Sequence, residues 1–159
     1  MTVISVMTCL PMSGKTSIEV MRSKKYTEDR VRHRIIDDWR ASHITPELNY
    51  LSQDIDVKFC DNYMPYHHPL IDEESNDHGL YCLGNGISTF MPHVQYVVFG
   101  EEWEKSRGCL MEAIIAWSYG KKIFAYTGNK FIRDFDVYKI AVNELQNIVI
   151  KNEMRYNHE

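Results

Sequence analysis

Residues 103–116 read Trp-Glu-Lys-Ser-Arg-Gly-Cys-Leu-Met-Glu-Ala-Ile-Ile-Ala, a pattern that predicts an otherwise apolar helix with one carboxylate, Glu112, near its start. An apolar run of strand length, Val94–Gly100, precedes this stretch, and a second, Ile123–Tyr126, follows it. The order strand, loop, helix, strand predicts two parallel strands joined by a crossover helix. Ligands of such units bind beyond the carboxyl ends of the strands, where we expect residues 100–112 to lie.

The rest of the chain continues this alternation. We predict, in chain order, a strand at Thr2–Cys9, a helix at Tyr26–Ser42, a strand at Asp56–Cys60, a helix at Gly79–Met91 and a closing helix at Asp136–Glu153. The acidic segment Tyr66–His78 has no regular period and is predicted to be a surface loop. The alternation predicts one doubly wound α/β domain over residues 1–159, with a parallel sheet of four or five strands in the flavodoxin-like order.

Composition favours a small-molecule partner over a nucleic-acid polymer. The 159 residues carry a net charge of −4, and a large nucleic-acid footprint needs a basic face. A small anionic ligand needs only a few local donors. The first residues lack a positively charged leader, and no apolar run approaches the ~18 residues of a membrane helix. We therefore expect a cytoplasmic protein with no membrane partner.

No metal or cofactor is predicted. The four cysteines lack the close paired spacing of zinc ligands and are expected to be reduced thiols. Two of them, Cys9 and Cys109, flank the candidate ligand loops, but a small buried cysteine is a commoner explanation than a nucleophile. The adjacent histidines of the irregular segment point apart in an extended loop and make a poor metal pair.

Two loops that follow neighbouring strands carry small residues that let backbone amides approach an anion. The first loop comprises Pro11, Met12, Ser13, Gly14 and Lys15. The second lies at the predicted helix N-terminus, where unpaired amides and the helix dipole favour negative charge, and comprises Ser106, Arg107, Gly108 and Cys109. A simple capping role for Ser106 explains the same spacing equally well.

The first loop is not a P-loop. Gly14-Lys15-Thr16 matches the end of that motif, but Cys9 stands where the motif needs glycine, and no acidic partner strand for magnesium is evident. This excludes a nucleoside triphosphatase. Lys15 can still bind a phosphate as a point charge.

Glu112 has two interpretations. Partial burial raises the pKa of a carboxyl and suits it to proton transfer, while a neighbouring donor keeps it ionised as a nucleophile. The alternative is a solvated glutamate favoured by the helix dipole. Trp103 and Tyr63 are candidates for stacking on a base, and for each the alternative is a place in the core.

Two motifs together resemble the nucleoside 2-deoxyribosyltransferase-like superfamily, in particular its small phage and bacterial members. They are Leu-Pro-Met-Ser-Gly at residues 10–14 and Trp-Glu-Lys-Ser-Arg-Gly-Cys-Leu-Met-Glu at residues 103–112. The resemblance spans roughly residues 2–126, and the second motif is the more specific. It implies a flavodoxin-like fold, assembly into homo-oligomers, and cleavage or transfer of the N-glycosidic bond of a (deoxy)nucleoside or its 5′-monophosphate.

The resemblance also assigns roles to residues. Glu112 matches the glutamate nucleophile that attacks the sugar C1′. Ser106 and Gly108 match the loop that holds a 5′-phosphate, and the Met12-Ser13-Gly14 segment matches the loop that lines the sugar and phosphate. The implied chemistry has two retaining steps, with water or a second base as acceptor.

One departure from the family pattern bears on three hypotheses about function. Active members place an aspartate in the helix before the third strand and another at the start of that strand, but residues 84–90 here contain no acid and Gln95 takes the second position. The chemistry then needs another acid, such as Asp61 or Asp77. A second hypothesis is that the chain binds a nucleotide without cleaving it, for example a cyclic or ADP-ribose-type immune signal, as phage proteins do against host defence. A third is that the chain is an interaction protein with a vestigial pocket.

Overall fold

A computed structural model describes residues 1–43, 45–47, 53–63 and 67–157 of the chain. Within these residues the strands are β1 (Thr2–Cys9), β2 (Ile55–Phe59), β3 (Tyr96–Phe99), β4 (Lys122–Thr127) and β5 (Lys130–Arg133). The α-helices are α1 (Ser17–His43), α2 (Asn76–Thr89), α3 (Arg107–Ser118) and α4 (Phe135–Asn157). Short 3-10 turns at Met91–His93 and Trp103–Lys105 lead into β3 and α3. None of the described helices is long and apolar enough to cross a membrane.

The strands form one sheet in the order β2-β1-β3-β4-β5. Strands β1 to β4 run parallel, and Cys9 lies opposite Phe99 in the ladder between β1 and β3. The chain passes from β1 to its neighbour β2 and then returns to β3 on the other side of β1, so the direction of winding reverses there. The carboxyl ends of β1 and β3 therefore form a switch point, the place where open α/β sheets bind ligands.

The two faces of the sheet are covered by different helices. Of the described helices, α1 covers one face, where Val31 and Ile35 belong to a buried cluster with Val6. Helices α2, α3 and α4 cover the other face, where Cys9 and Leu110 share a second cluster. Because successive strand residues point to opposite faces, the last residue of β1 directs its side chain toward α3.

A buried carboxylate ties α1 to the sheet at the amino ends of β3 and β4. Asp38 is 6% exposed and accepts hydrogen bonds from the Tyr96 hydroxyl at 2.8 Å, from Lys122 Nζ at 3.1 Å and from Arg133 Nη2. Burial alone raises the pKa of Asp38, but these donors outweigh it and hold the pKa below its ordinary value. This cluster lies at the end of the sheet opposite the switch point and stabilises the packing of α1 there.

The predicted parallel sheet is correct for four strands and wrong for the fifth. Strand β5, which the sequence analysis missed, pairs antiparallel with β4 through a tight hairpin, with Thr127 opposite Lys130. Gly128 has a φ of +62° in that turn, a conformation that glycine adopts without strain. The strand has only four residues, Lys-Phe-Ile-Arg, and its two apolar residues are adjacent, so it shows no polar–apolar alternation that would predict a strand.

Helix α1 begins at Ser17, nine residues before the predicted start at Tyr26. Thr16 and Glu19 form a reciprocal cap, in which the Thr16 amide donates to Glu19 Oε2 at 2.7 Å and the Glu19 amide donates to Thr16 Oγ1 at 3.2 Å. The buried face of this first part carries a lysine, Lys24, where an apolar residue would have extended the helical period toward Ser17.

The remaining predicted elements are close to the observed ones. Strand β1 has the predicted bounds, and β2 lies one residue earlier than predicted. Helix α2 starts three residues before Gly79, capped by Ser75, whose Oγ accepts from the His78 amide at 3.3 Å. The predicted loop therefore ends sooner, and its first residue, Tyr66, lies outside the described residues.

Candidate functional site

The switch point brings the end of β1 into contact with α3. Cys9 Sγ donates a hydrogen bond to Glu112 Oε2 at 3.1 Å, although the two residues are 103 positions apart in the chain. Cys9 is the last residue of β1, and its carbonyl accepts from the Gly100 amide at 3.1 Å. The thiol is thus held on a rigid part of the sheet, directly beside the carboxyl that the sequence analysis singled out.

Glu112 sits in a largely apolar environment. It lies on the face of α3 that also carries Cys109, Ala113 and Ala116, all of them buried. The residue keeps partial contact with solvent, yet enough protein surrounds its carboxyl that burial raises the pKa to about 7. The hydrogen bond from Cys9 acts in the opposite direction because it favours the ionised form. Near neutral pH the carboxyl is divided between its acid and ionised forms, which permits either proton transfer or nucleophilic attack.

The two thiols at this site stay protonated. Burial, reinforced by the nearby charge of Glu112, raises the pKa of Cys9 well above its ordinary value, and the same two causes raise the pKa of Cys109. Since the thiolate is the nucleophilic form of cysteine, neither residue has the properties of a catalytic nucleophile. All four cysteines of the chain are free thiols, as the sequence analysis predicted.

Ser106 caps α3. Its Oγ accepts a hydrogen bond from the Cys109 amide at 3.3 Å, and its carbonyl accepts from the Leu110 amide at 3.0 Å. The capping interpretation is therefore correct, and the Cys109 amide is engaged within the protein. The amides of Arg107 and Gly108 form no hydrogen bond to the described residues. These two amides, at the positive end of the helix dipole, are the donors left for an anion.

The first loop approaches the same helix terminus. Gly14 has a φ of +76°, which a side-chain-bearing residue rarely adopts, and the Lys15 amide donates to the Met12 carbonyl at 3.2 Å. Met12, Ser13 and Gly14 are exposed. Lys15 is half-buried and close enough to Cys109 for its charge to favour the thiolate. The charge of Lys15 in the first loop therefore acts on a thiol in the first turn of α3.

Trp103 belongs to the core and not to the ligand surface. It has no exposed surface, its Nε1 donates to Thr127 Oγ1 at 3.2 Å, and its ring centroid lies 5.4 Å from that of Phe99. In this structure its ring is not accessible to a base, which corrects the stacking hypothesis. The core alternative holds because the indole fills the space between β3, β4 and the start of α3.

Tyr63 and Arg107 lie beside the site without contacting Glu112. Tyr63 is half-buried, and burial raises the pKa of its hydroxyl. It follows Asn62, whose Nδ2 donates to the Thr8 carbonyl at 2.8 Å and so ties this segment to β1. Arg107 is exposed, and its Nη2 donates to Asn76 Oδ1 at 3.3 Å, which joins the starts of α2 and α3. Pro11 is half-buried at the edge of the first loop.

Gly100, which directly follows β3, lies in close contact with the loop after β1 and with helix α1. A Cβ at this position would collide with the Leu10 side chain and would lie 3.0 Å from Thr27 Oγ1. A side chain directly after β3 would therefore have to displace Leu10 of the loop after β1 and would crowd Thr27 of helix α1. The apolar run that ends at this glycine was visible in the sequence, but this reason for it was not.

Cys9 and Asn62 are the residues of the site that sequence reasoning did not assign. Alternation along β1 places Cys9 on the same face as Met7, which is a usable signal. No local pattern indicates that the partner of Cys9 is a carboxylate on a helix 103 residues away.

Neither a metal-binding cluster nor a known relative identifies a ligand for the described part of the chain. Among the described residues, no group of three or more histidine, cysteine, aspartate or glutamate side chains is arranged to bind a metal ion. No protein-family model, curated protein or solved structure matches this chain. The resemblance to the nucleoside 2-deoxyribosyltransferase-like superfamily therefore stays a prediction based on the two sequence motifs.

Proposed function

We propose that the protein cleaves or transfers the N-glycosidic bond of a (deoxy)nucleoside or its 5′-monophosphate, with Glu112 as the nucleophile. The observation that carries the proposal is the place of Glu112, a half-buried carboxyl at the switch point of the sheet. The strand order β2-β1-β3-β4-β5 supports a flavodoxin-like arrangement with a reversed last strand. Assembly into homo-oligomers is part of the same proposal and follows from the motif resemblance.

The proposed reaction assigns each oxygen of Glu112 a separate task. Oε2 accepts the hydrogen bond from Cys9, whereas Oε1 accepts none from the described residues. Ionised Oε1 attacks the sugar C1′, the bond from C1′ to the base nitrogen breaks with its electron pair on the base, and a glycosyl ester forms on Glu112. Water or a second base then attacks C1′ and releases the carboxylate. Burial of the carboxyl strengthens its electrostatic attraction to the positive charge that develops on the sugar.

A 5′-phosphate has donors available at one end of the site. Lys15 supplies a positive charge that acts on Cys109, and the amides of Arg107 and Gly108 lie at the N-terminus of α3. With the phosphate anchored there, the sugar would extend along the first turns of α3 toward Glu112. This arrangement favours a nucleoside monophosphate over an uncharged nucleoside.

One observation favours a second candidate function, in which the protein binds a nucleotide without cleaving it. Burial and the Cys9 hydrogen bond are the causes that shift the pKa of Glu112, and no second carboxylate contributes among the described residues. Asp61, one of the acids proposed from sequence, is exposed and lies 3.8 Å from Lys24 Nζ. Without an acid near the leaving base, the same pocket would sequester a cyclic nucleotide or an ADP-ribose-type signal.

The two functions are separated by what happens to the nucleotide. A panel of deoxynucleosides, deoxynucleoside 5′-monophosphates and cyclic nucleotides is incubated with wild type, Glu112→Gln and, as a matched carboxylate control, Glu104→Gln. Free base formed by wild type and Glu104→Gln but not by Glu112→Gln supports the glycosidase. Intact nucleotide recovered from the denatured protein supports the binding function. If neither free base nor bound nucleotide is detected, both functions are refuted.

A further inference from the structure

We propose that Cys9 is a positioning residue for Glu112, which fixes the orientation of the carboxylate and favours its ionised form through the Sγ–H to Oε2 hydrogen bond. This inference rests on the proposed function, because it takes Glu112 as the reactive group. It adds a residue that the motifs do not contain. Cys9 would contact neither substrate nor leaving group and would act through Glu112.

The first support is rigidity. Cys9 ends β1, is paired with Phe99 in the parallel ladder, and is 3% exposed. A side chain anchored in the sheet has one short rotatable bond between Cβ and the backbone, so its sulfur position is nearly fixed. Glutamate has three such torsions and loses considerable side-chain entropy when it is held in one orientation. The hydrogen bond therefore restricts the flexible partner and leaves Oε1 directed away from Cys9.

The second support is the chemical state of the thiol. Burial keeps Cys9 protonated at neutral pH, so the sulfur always carries a hydrogen to donate. Among the described residues, no other side chain donates a hydrogen bond to Glu112. A donor that faces a carboxylate stabilises its charged form, and here it opposes the effect of burial. A nucleophilic carboxylate in an apolar place needs such a donor to remain partly ionised.

The third support is the contrast with Cys109. This thiol is equally buried and close enough to Glu112 to be affected by its charge, but it forms no hydrogen bond to the carboxyl. The chain therefore offers a matched control, a second buried thiol at the same site that lacks the contact.

The test is a pH titration of the Glu112 carboxyl, monitored by carbon-13 NMR of protein that contains glutamate labelled at the side-chain carboxyl. The signal is assigned by its absence in Glu112→Gln. We expect Cys9→Ala to raise the Glu112 midpoint by about half a pH unit or more, and Cys9→Ser, which keeps a donor, to leave it at or below the wild-type value. Cys109→Ala should leave the midpoint within error of wild type.

The inference is overturned if the Glu112 midpoint is the same in Cys9→Ala and wild type. It is also overturned if Cys9→Ala and Cys109→Ala shift that midpoint equally, because the effect would then come from packing in general and not from the hydrogen bond. If Cys9→Ala does not fold, a midpoint in Cys9→Ser above that of wild type also refutes the inference. The readout needs no substrate, so it is independent of turnover. Absence of glycosidic cleavage by wild type would reject the proposed function while leaving the titration result intact.

Discussion

The raised pKa of Glu112 makes the stability of the protein depend on pH in a defined direction. The folded state holds the proton of this carboxyl up to about pH 7, whereas an ordinary glutamate has lost it above 4.5. Between these values the folded state binds more protons than the unfolded state, so stability falls as pH rises. Glu112 thus costs nothing well below pH 4.5 and has its full cost above pH 7. Replacement by glutamine, which has the same shape and never ionises, removes that cost.

The size of this effect on the free energy of unfolding follows from the pKa shift of Glu112. A rise from 4.5 to about 7 corresponds to about 3 kcal/mol, at roughly 1.4 kcal/mol for each pKa unit. Because Glu112 keeps partial contact with solvent, we expect about 2 kcal/mol of this to be measured. Glutamine retains an oxygen that can accept from Cys9, so the contact is not lost together with the charge.

The assay is urea unfolding of wild type and Glu112→Gln at pH 5 and at pH 8, monitored by tryptophan fluorescence. At pH 5 the unfolded glutamate is already mostly ionised and part of the cost is present, so we expect the stability gain of the glutamine variant to be about 1 kcal/mol larger at pH 8 than at pH 5. Comparison of the two proteins cancels the titration of every other group. An equal difference at both pH values would show that Glu112 ionises as an ordinary glutamate, and the electrostatic account of the site would be refuted.

Three further predictions concern the frame that holds the site. Asp38→Asn should destabilise the protein by about 2 kcal/mol in urea unfolding, because it leaves the cations of the Asp38 cluster without their buried partner; a change near zero would contradict this. Gly100→Ala should cost about 2 kcal/mol through its collision with the loop after β1, while Gly84→Ala, with open space at its Cβ inside α2, should stabilise by about 0.5 kcal/mol. Equal effects at the two glycines would refute the packing argument. Ser106→Ala should lower the thermal unfolding midpoint through loss of about 1 kcal/mol of capping, and Ser106→Asp should restore it. A midpoint unchanged in the alanine variant would mean that the cap contributes nothing.

Local patterns in the sequence were sufficient to predict the unit formed by β3, α3 and β4. The apolar runs around residues 94–100 and 123–126 are long and uninterrupted, so they predict β3 and β4, and the intervening apolar stretch predicts α3. The first turns of α1 escaped prediction because a polar residue, Lys24, occupies a position on their buried face. Strand β5 escaped because it is short and is stabilised by pairing with β4.

The candidate site was predictable in its parts but not in its contacts. The spacing after β3 placed Glu112 on the first half of α3 beyond the strand ends, and the structure agrees. Whether Ser106 caps the helix, and whether Trp103 is buried, depended on side-chain packing that one sequence does not reveal. The bond between Cys9 and Glu112 depends on which strands are neighbours, and that is a property of the whole sheet.

The central claim, that Glu112 forms a covalent bond to the sugar, is tested most directly by intact-protein mass spectrometry after rapid acid quench. Wild type mixed with a deoxynucleoside 5′-monophosphate should gain the mass of one deoxyribosyl phosphate, located by digestion on the peptide that contains Glu112. Glu112→Gln should gain none. Release of free base by wild type with no adduct on this peptide, or with an adduct on another residue, would contradict the account.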